Sequence, residues 1–195
     1  MRVIAGKYRS RPLHSPRGFH LRPTSDRLRE TLFDVLTAGN PAALEGSVWI
    51  DLFAGTGAVG IEALSRGAGM VYFVENSRPA VELIRRNLLS LGINTGFRIL
   101  HQDAVRELRT ADEIRFDFAF LDPPYQMESA YRQTLEILSA AHFPKPESKV
   151  IAEHQKKYDP GERIASFERY RLLKQGDAAL SFYSPVIHEQ SSHIS

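Results

Sequence analysis

Apolar positions along this chain follow two rhythms, helical spacing and short unbroken runs, and the two alternate from about residue 26 to residue 183. Leu28, Leu32, Val35 and Leu36 fall at i, i+4, i+7 and i+8, which predicts a helix entered through Arg22-Pro23-Thr24-Ser25-Asp26 and stopped before Gly39-Asn40-Pro41. Arg27, Arg29 and Glu30 then lie away from the centre of its apolar stripe. The run Val48-Trp49-Ile50-Asp51-Leu52 predicts a buried strand, followed by a helix over residues 58–66 that ends at Gly67. Residues 70–74 form the next strand. Ser77-Arg78-Pro79 then supplies a capping serine and an early proline to a helix whose apolar face is Val81, Ile84, Leu88 and Leu91, closed by Gly92. A third strand over 97–100 and a short helix over 104–108 lead to the run Phe116 to Leu121. That fourth strand must end at Asp122-Pro123-Pro124, because neither proline can donate a ladder hydrogen bond. A helix through Tyr131, Leu135 and Leu138 precedes a strand at Val150-Ile151-Ala152. The last two strands, over 170–174 and 178–183, are joined by Gln175-Gly176-Asp177, short enough for an antiparallel hairpin, and residues 188–195 are polar and expected to fray.

Five strand-helix units and a terminal hairpin predict an α/β fold, a doubly wound and mostly parallel sheet whose ligands sit at the carboxyl ends of its strands. At 195 residues and 43% hydrophobic content the chain fits one domain with a single core. The absence of cysteine excludes disulfides, thiolate nucleophiles and cysteine-held metals, and agrees with a reducing compartment, so the cytoplasm is the expected location. No signal peptide and no apolar stretch of spanning length is present, so no membrane is expected.

Charge changes the picture once it is divided along the chain. The net value is only +2, yet residues 1–25 hold Arg2, Lys7, Arg9, Arg11, Arg17 and Arg22 and none of the 23 acidic side chains. A basic arm of this kind gains affinity for a polyanion by releasing counterions condensed on phosphates, and these six residues are the candidate nucleic-acid contacts. Within it, Val3-Ile4-Ala5-Gly6-Lys7-Tyr8 has strand-forming residues around a glycine. The expected organisation is a basic nucleic-acid-binding extension over 1–25, a doubly wound domain over 26–184 and a polar tail over 185–195.

The candidate chemistry lies at the predicted strand ends. Gly55-Thr56-Gly57-Ala58-Val59-Gly60 satisfies G-x-G-x-x-G between a strand and a helix, so the backbone can approach a nucleotide-like ligand; alone, this fits an NAD enzyme equally well. Asp51, four residues earlier, favours another ligand: a carboxylate there suits the ammonium of a methionine moiety and repels a pyrophosphate. Glu75 closes the second strand, where a carboxylate can take both ribose hydroxyls, a need shared by NAD and S-adenosylmethionine. Asp103 follows the third strand and, with Ala104, is placed to meet an adenine amino group, although a helix N-cap accounts for it equally well. Phe53 and Asn76, beside these acids, complete the candidate cofactor contacts.

Asp122-Pro123-Pro124-Tyr125 is the most specific motif. Its prolines hold an extended path in which the Asp122 carboxylate and the Pro123 carbonyl converge on one amino group while Tyr125 stacks the base. Two acceptors favour the pyramidal form of an exocyclic amine, whose lone pair is otherwise delocalised, and drain its developing charge. The motif alone serves guanine N2, adenine N6 and cytosine N4 alike. The seven histidines show no metal-ligand spacing, and no Ser–His–Asp set or G-x-S-x-G is present, so no metal is expected. Glu153-His154 reads as structural, and Lys156 and Lys157 either extend the basic surface or are ordinary solvated lysines.

Asp51-Leu52-Phe53-Ala54-Gly55-Thr56-Gly57 together with Asp122-Pro123-Pro124-Tyr125 resembles the class I methyltransferases that modify amino groups of bases. Residues 2–9, 22–30 (Arg-Pro-Thr-Ser-Asp-Arg-Leu-Arg-Glu), 62–67 and 179–183 narrow the resemblance to the bacterial small-subunit ribosomal RNA guanine-N2 methyltransferases of the RsmD type, over residues 1 to about 184. The resemblance implies a Rossmann-like seven-stranded sheet with an N-terminal hairpin that grips RNA, S-adenosylmethionine as donor, and a guanine of small-subunit RNA, in an assembled particle, as acceptor. It also implies cofactor contacts at Asp51, Gly55, Gly57, Glu75 and Asp103 and catalysis at Asp122 through Tyr125. Thr56 stands where serine is usual. A monomer is expected. Adenine-N6 or cytosine-N4 methylation of RNA or DNA, an NAD-linked oxidoreductase and a catalytically silent RNA-binding domain are the alternatives.

Overall fold

A computed structural model of the protein describes residues 1–15, 24–110, 114–124, 126–140 and 144–186; Arg17, Arg22, Tyr125 and the tail from residue 187 lie outside the described residues. Helix α1 (Asp26–Thr37) leads into β1 (Val48–Leu52), α2 (Ala58–Ser65), β2 (Met70–Glu75), α3 (Arg78–Ser90), β3 (Phe97–His101), α4 (Ala104–Thr110), β4 (Phe116–Leu121), α5 (Glu128–Ala140) and β5 (Pro144–Gln155). Three further strands follow, β6 (Arg163–Ile164), β7 (Phe167–Gln175) and β8 (Ala178–Pro185). The sheet order is β3-β2-β1-β4-β5-β8-β7-β6, parallel from β3 to β5 and antiparallel beyond. The order reverses between β1 and β4, which opens a crevice at their carboxyl ends.

The sheet has eight strands where the sequence predicts seven. The extra one, β6, is two residues that fold back on β7 through Ile164 and Phe167. So short a pairing leaves no periodic signal; its apolar content is Ile164, buried against the α4–α5 layer. Strand β5 is also longer than the run Val150-Ile151-Ala152, because Pro144 already pairs with Phe116 before a register shift.

Two apolar layers enclose the sheet. On one face α1, α2 and α3 pack over Trp49, Val71, Phe73, Phe118 and Phe182; on the other, α4 and α5 pack over Ile50, Leu52, Val74 and Leu121. Trp49 stacks on Phe118 with ring centroids 4.8 Å apart and meets Phe33 at 5.3 Å. Buried on both faces, the central strand forces Asp51 into the interior as well.

Two local readings are corrected. Ser77 occupies the N-cap position of α3 but its hydroxyl makes no capping bond; its backbone N–H instead donates to Glu75 Oε1 at 2.8 Å. Arg29, expected off the apolar stripe, is fully buried, while Val35 and Leu36 are only half-buried. The reason is the N-terminal arm, which covers the side of α1 that a lone helix would expose to water.

The arm is a short antiparallel hairpin, with Val3 N–H donating to Arg11 C=O (3.0 Å), Ser10 N–H to Val3 C=O (2.9 Å) and Leu13 N–H to Met1 C=O (3.1 Å). It lies along α2. Ile4 and Ala5 donate their N–H groups to the Glu62 carboxylate at 2.8 and 2.9 Å, and Lys7 N–H donates to Ser65 C=O at 2.7 Å. Only glycine fits at position 6, where φ is +79° and a Cβ would stand 1.9 Å from the Ser65 oxygen. Arg29 closes the junction from below through a hydrogen bond to Arg2 C=O and ion pairs to Asp26 and Glu62.

Candidate active site

The crevice between β1 and β4 holds a cavity of about 380 Å³. Asp51, Phe53, Gly55, Glu75 and Asn76 line one side, and Asp122, Pro123 and Pro124 the other. Gly57, Asp103 and Ala104 are not among its lining residues. Gly57 instead sits at the N-cap of α2 with φ +75°. Asp103 accepts the Arg106 N–H at 3.0 Å at the start of α4, and Ala104 is buried. That is the helix-capping alternative the sequence allows for Asp103.

The glycine loop is shaped by its backbone and by one acid. After β1 the chain turns through Phe53 (φ +61°), Gly55 (+54°) and Gly57 (+75°). A left-handed phenylalanine is costly and persists only where its surroundings over-determine it. Glu75 does much of that: Oε2 accepts the Gly55 N–H and Oε1 the Ser77 N–H, each at 2.8 Å, so the end of β2 fixes both the loop after β1 and the start of α3. Gly60 lets α2 lie close to the sheet, since a Cβ there would come within 2.3 Å of the Phe73 ring.

Asp51 is 2% exposed and accepts the Gly60 N–H at 2.9 Å. Burial pushes its carboxyl from 3.8 to about 8, the Gly60 hydrogen bond opposing the rise and the nearby Glu75 carboxylate adding to it. An acid protonated near neutrality inside a cavity is a ready partner for a cationic group, whose arrival would return it to the ionised form.

Asp122 leaves the sheet one residue after Leu121, which pairs with Leu52, and is half-buried. Pro123 is buried and Pro124 exposed, and the chain turns at once into α5 through Met127 N–H donating to Pro124 C=O at 2.7 Å. Tyr125 lies outside the described residues. Thr24, Thr56, Gln126 and Met127 also line the cavity, which the sequence gives no reason to single out. Thr24 arrives by a contact 129 residues long: its hydroxyl donates to Glu153 Oε2 at 2.6 Å, at the end of β5. His154 is buried, with Nδ1 2.9 Å from Gln155 C=O and Nε2 2.9 Å from Ser181 Oγ; burial holds its pKa below the usual histidine value.

Among the described residues no group of His, Asp and Glu is arranged to hold a metal ion, and no helix is long and apolar enough to cross a membrane. Of the basic arm, Arg2, Lys7, Arg9 and Arg11 are exposed, and Arg11 Nη2 donates to Ser90 C=O at the end of α3 at 3.1 Å.

Ribosomal RNA small subunit methyltransferase D of Haemophilus influenzae is 31% identical over 185 residues, 94% of this chain and 91% of that protein. The protein of the same name from Escherichia coli K12 is 30% identical over 183 residues, 94% of this chain and 89% of its own. The solved structure of yhhF from Escherichia coli superposes with a TM-score of 0.82 at 27% identity, covering 95% of this chain and 97% of that one. The family described as Conserved hypothetical protein 95 matches residues 1–184, and this chain belongs to it.

Proposed function

We propose that this protein transfers a methyl group from S-adenosylmethionine to the exocyclic N2 amino group of a guanine in small-subunit ribosomal RNA. It acts in the cytoplasm, as a monomer, on an assembled ribosomal particle. The names of the relatives support the RNA and the reaction. The observation that carries the reading is that Asp51 and Glu75 share one cavity with Asp122-Pro123-Pro124, so a donor site and an amine-capturing corner face the same space.

Asp51 would pair with the ammonium of the methionine moiety, and the two Glu75 oxygens, each already holding one backbone N–H, would offer lone pairs to the ribose hydroxyls. Gly55 and Gly57 would shape the loop against the ligand and Phe53 and Asn76 would flank it, while Asp103 with Ala104, just past the cavity lining at the end of β3, would meet an adenine that extends beyond it. When bound, the cofactor would supply an electrophilic methyl carbon to the amine lone pair, with its sulfur as the leaving group. Asp122 and the Pro123 carbonyl accept from the amine hydrogens, favour its pyramidal form and stabilise the positive charge it gains, while Pro124 stiffens the corner and Tyr125 stacks the base. A base that is paired or stacked must first be extruded, at a cost of a few kcal/mol. Arg2, Lys7, Arg9, Arg11, Arg17 and Arg22 hold the RNA backbone.

The test is to incubate the protein and labelled donor with free small-subunit RNA, assembled small subunits or DNA and to identify the methylated nucleoside by mass spectrometry. N2-methylguanosine is expected, with the assembled subunit the best substrate. N6-methyladenine or N4-methylcytosine would reassign the base, and no product with saturable NADH binding would overturn the reaction. Asp122→Ala should slow transfer about a thousandfold with cofactor affinity retained; transfer at the wild-type rate would refute the mechanism.

A further inference from the structure

The arm is the part of the chain whose charge first suggests a polyanion, but its basic tip is not at the cleft. Lys7 and Tyr8 are bonded to Ser65, the last residue of α2, whereas the cavity is at the first, so the tip stands about 12 Å down the helix from the glycine loop. Lys7 Nζ lies over its neighbour's ring, 5.4 Å from the Tyr8 centroid, and Arg11 is engaged by the end of α3.

A different set of cations surrounds the other side of the cleft. Strand β5 ends at Gln155 beside β8, whose first residue Ala178 pairs with both Gln155 and Gln175, so the end of β5 and the β7–β8 hairpin share the carboxyl edge of the sheet. Lys156 N–H donates to Asp177 C=O at 2.8 Å, joining the turn after β5 to that hairpin. Helix α1 starts at the same corner. Thr24 lines the cavity, and Thr31 Oγ1, which donates to Arg27 C=O at 3.0 Å, stands 3.1 Å from Gln175 Oε1. Four cations therefore stand along this carboxyl edge: Arg27 on the first turn of α1, Lys156 and Lys157 in the turn after β5, and Lys174 near the end of β7, which shares with Ala179 and His154 the face of the sheet turned away from α1. All four are exposed, and among the described residues none is in an ion pair. The acids nearest them in the chain are Asp26, Asp159 and Asp177; Asp26 is taken up by Arg29 at 3.1 Å and Asp159 by Arg169 at 2.5 Å.

We infer that Arg27, Lys156, Lys157 and Lys174 form a second grip on the RNA backbone, holding phosphates next to the target nucleotide while the arm holds a more distant segment. The inference rests on the proposed RNA substrate. Its spacing suits that role: Asp122 and Glu153 are the next residues after the paired Leu121 and Ala152, and Lys156, the first residue past the end of β5, is at most about 10 Å from Glu153 along the chain. That distance is within the reach of a phosphate one or two nucleotides from a base held at Asp122. Unpaired exposed cations at a cleft rim suit a polyanion, since binding releases counterions without first breaking an ion pair.

The experiment replaces Arg27, Lys156, Lys157 and Lys174 by glutamine, in pairs and together, and measures binding to small-subunit RNA across a salt series, with steady-state methylation beside it. Arg115→Gln, exposed at the opposite edge ahead of β4, is the control. The quadruple variant should lower the magnitude of the log–log salt slope by about 0.7 to 0.9 for each phosphate it no longer neutralises and raise KM for RNA by tenfold or more. Cofactor affinity, melting temperature and kcat at saturating RNA should stay as in the wild type. A slope and KM equal to those of Arg115→Gln, alongside a clear drop in Arg9→Ala/Arg11→Ala, would overturn the second grip and leave the proposed function standing. Failure of the wild-type protein to bind RNA at all would strike the proposed function itself.

Discussion

Glu62 and Asp51 are both buried carboxylates that accept backbone N–H groups at helix α2, and they are held in opposite ways. Glu62 is surrounded by partners: two N–H groups of the arm, the Arg66 guanidinium at 2.8 Å and Arg29 at 3.7 Å. Asp51 has the Gly60 N–H, a second acid in Glu75 and a cavity, and its carboxyl is pushed up to about 8. A buried acid whose lone pairs are all taken is part of the structure, whereas one left open toward a cavity is a site for a ligand that completes it.

The sharpest break in that contrast is Glu62→Ala. It strands Arg29, fully buried and with Nε and Nη1 already lacking hydrogen-bond partners, and removes the acceptor of two arm N–H groups. A loss of about 3–5 kcal/mol in unfolding free energy is expected, with proteolysis appearing within residues 1–15; a melting temperature equal to the wild type would make Glu62 dispensable. Asp51→Asn should do the reverse. The amide still accepts from Gly60, so the fold persists at neutral pH, while affinity for S-adenosylmethionine falls by about 10- to 100-fold because the ammonium loses its counter-charge. Titration calorimetry decides it.

A finer test uses pH. Folding raises the Asp51 pKa from 3.8 to about 8, so the unfolded chain gives up this proton first as pH climbs. Asp51 therefore contributes stability below about pH 4 that is lost as pH rises toward 8, with no further loss above it. Cofactor affinity has the opposite slope, since an ionised Asp51 must meet the ammonium: the dissociation constant should fall by up to about tenfold per pH unit and level off near pH 8. The Asn variant should show neither dependence, and a wild-type affinity flat from pH 6 to 8 would contradict the role given to Asp51. The smallest effect belongs to the arm's surface. Arg9→Ala with Arg11→Ala should reduce the magnitude of the salt slope of RNA binding by about one to two and leave cofactor affinity and stability unchanged.

Much of the fold is legible in residues 48–124 because β1, β2 and β4 are largely buried on both faces and read as apolar runs, punctuated by glycine or proline where the chain must turn. The same property marks the acids at strand ends: an aspartate inside or just after such a run has few explanations other than a site. Strand β6, Thr24 in the cavity and the burial of Arg29 carry no such mark. Each depends on contacts between distant segments, Thr24 with Glu153 and Arg29 with Arg2 and Glu62, and local periodicity reports only the face a segment could bury, not what covers it.

By itself, then, the sequence determined the alternation of elements, the doubly wound sheet and the identities of the acids at its edge, since these follow from short-range pattern and from the few residues that permit a given turn. Tertiary structure alone decided that Asp51 and Asp122 open on one cavity while Asp103 caps a helix outside it. It alone decided that Lys7 and Tyr8 of the arm lie down the flank of α2 and that four cations scattered in the chain reach the carboxyl edge beyond β5. Which side chains share a space depends on how the strands are ordered and how far each helix lies from the sheet, and those distances are settled by packing across the whole chain.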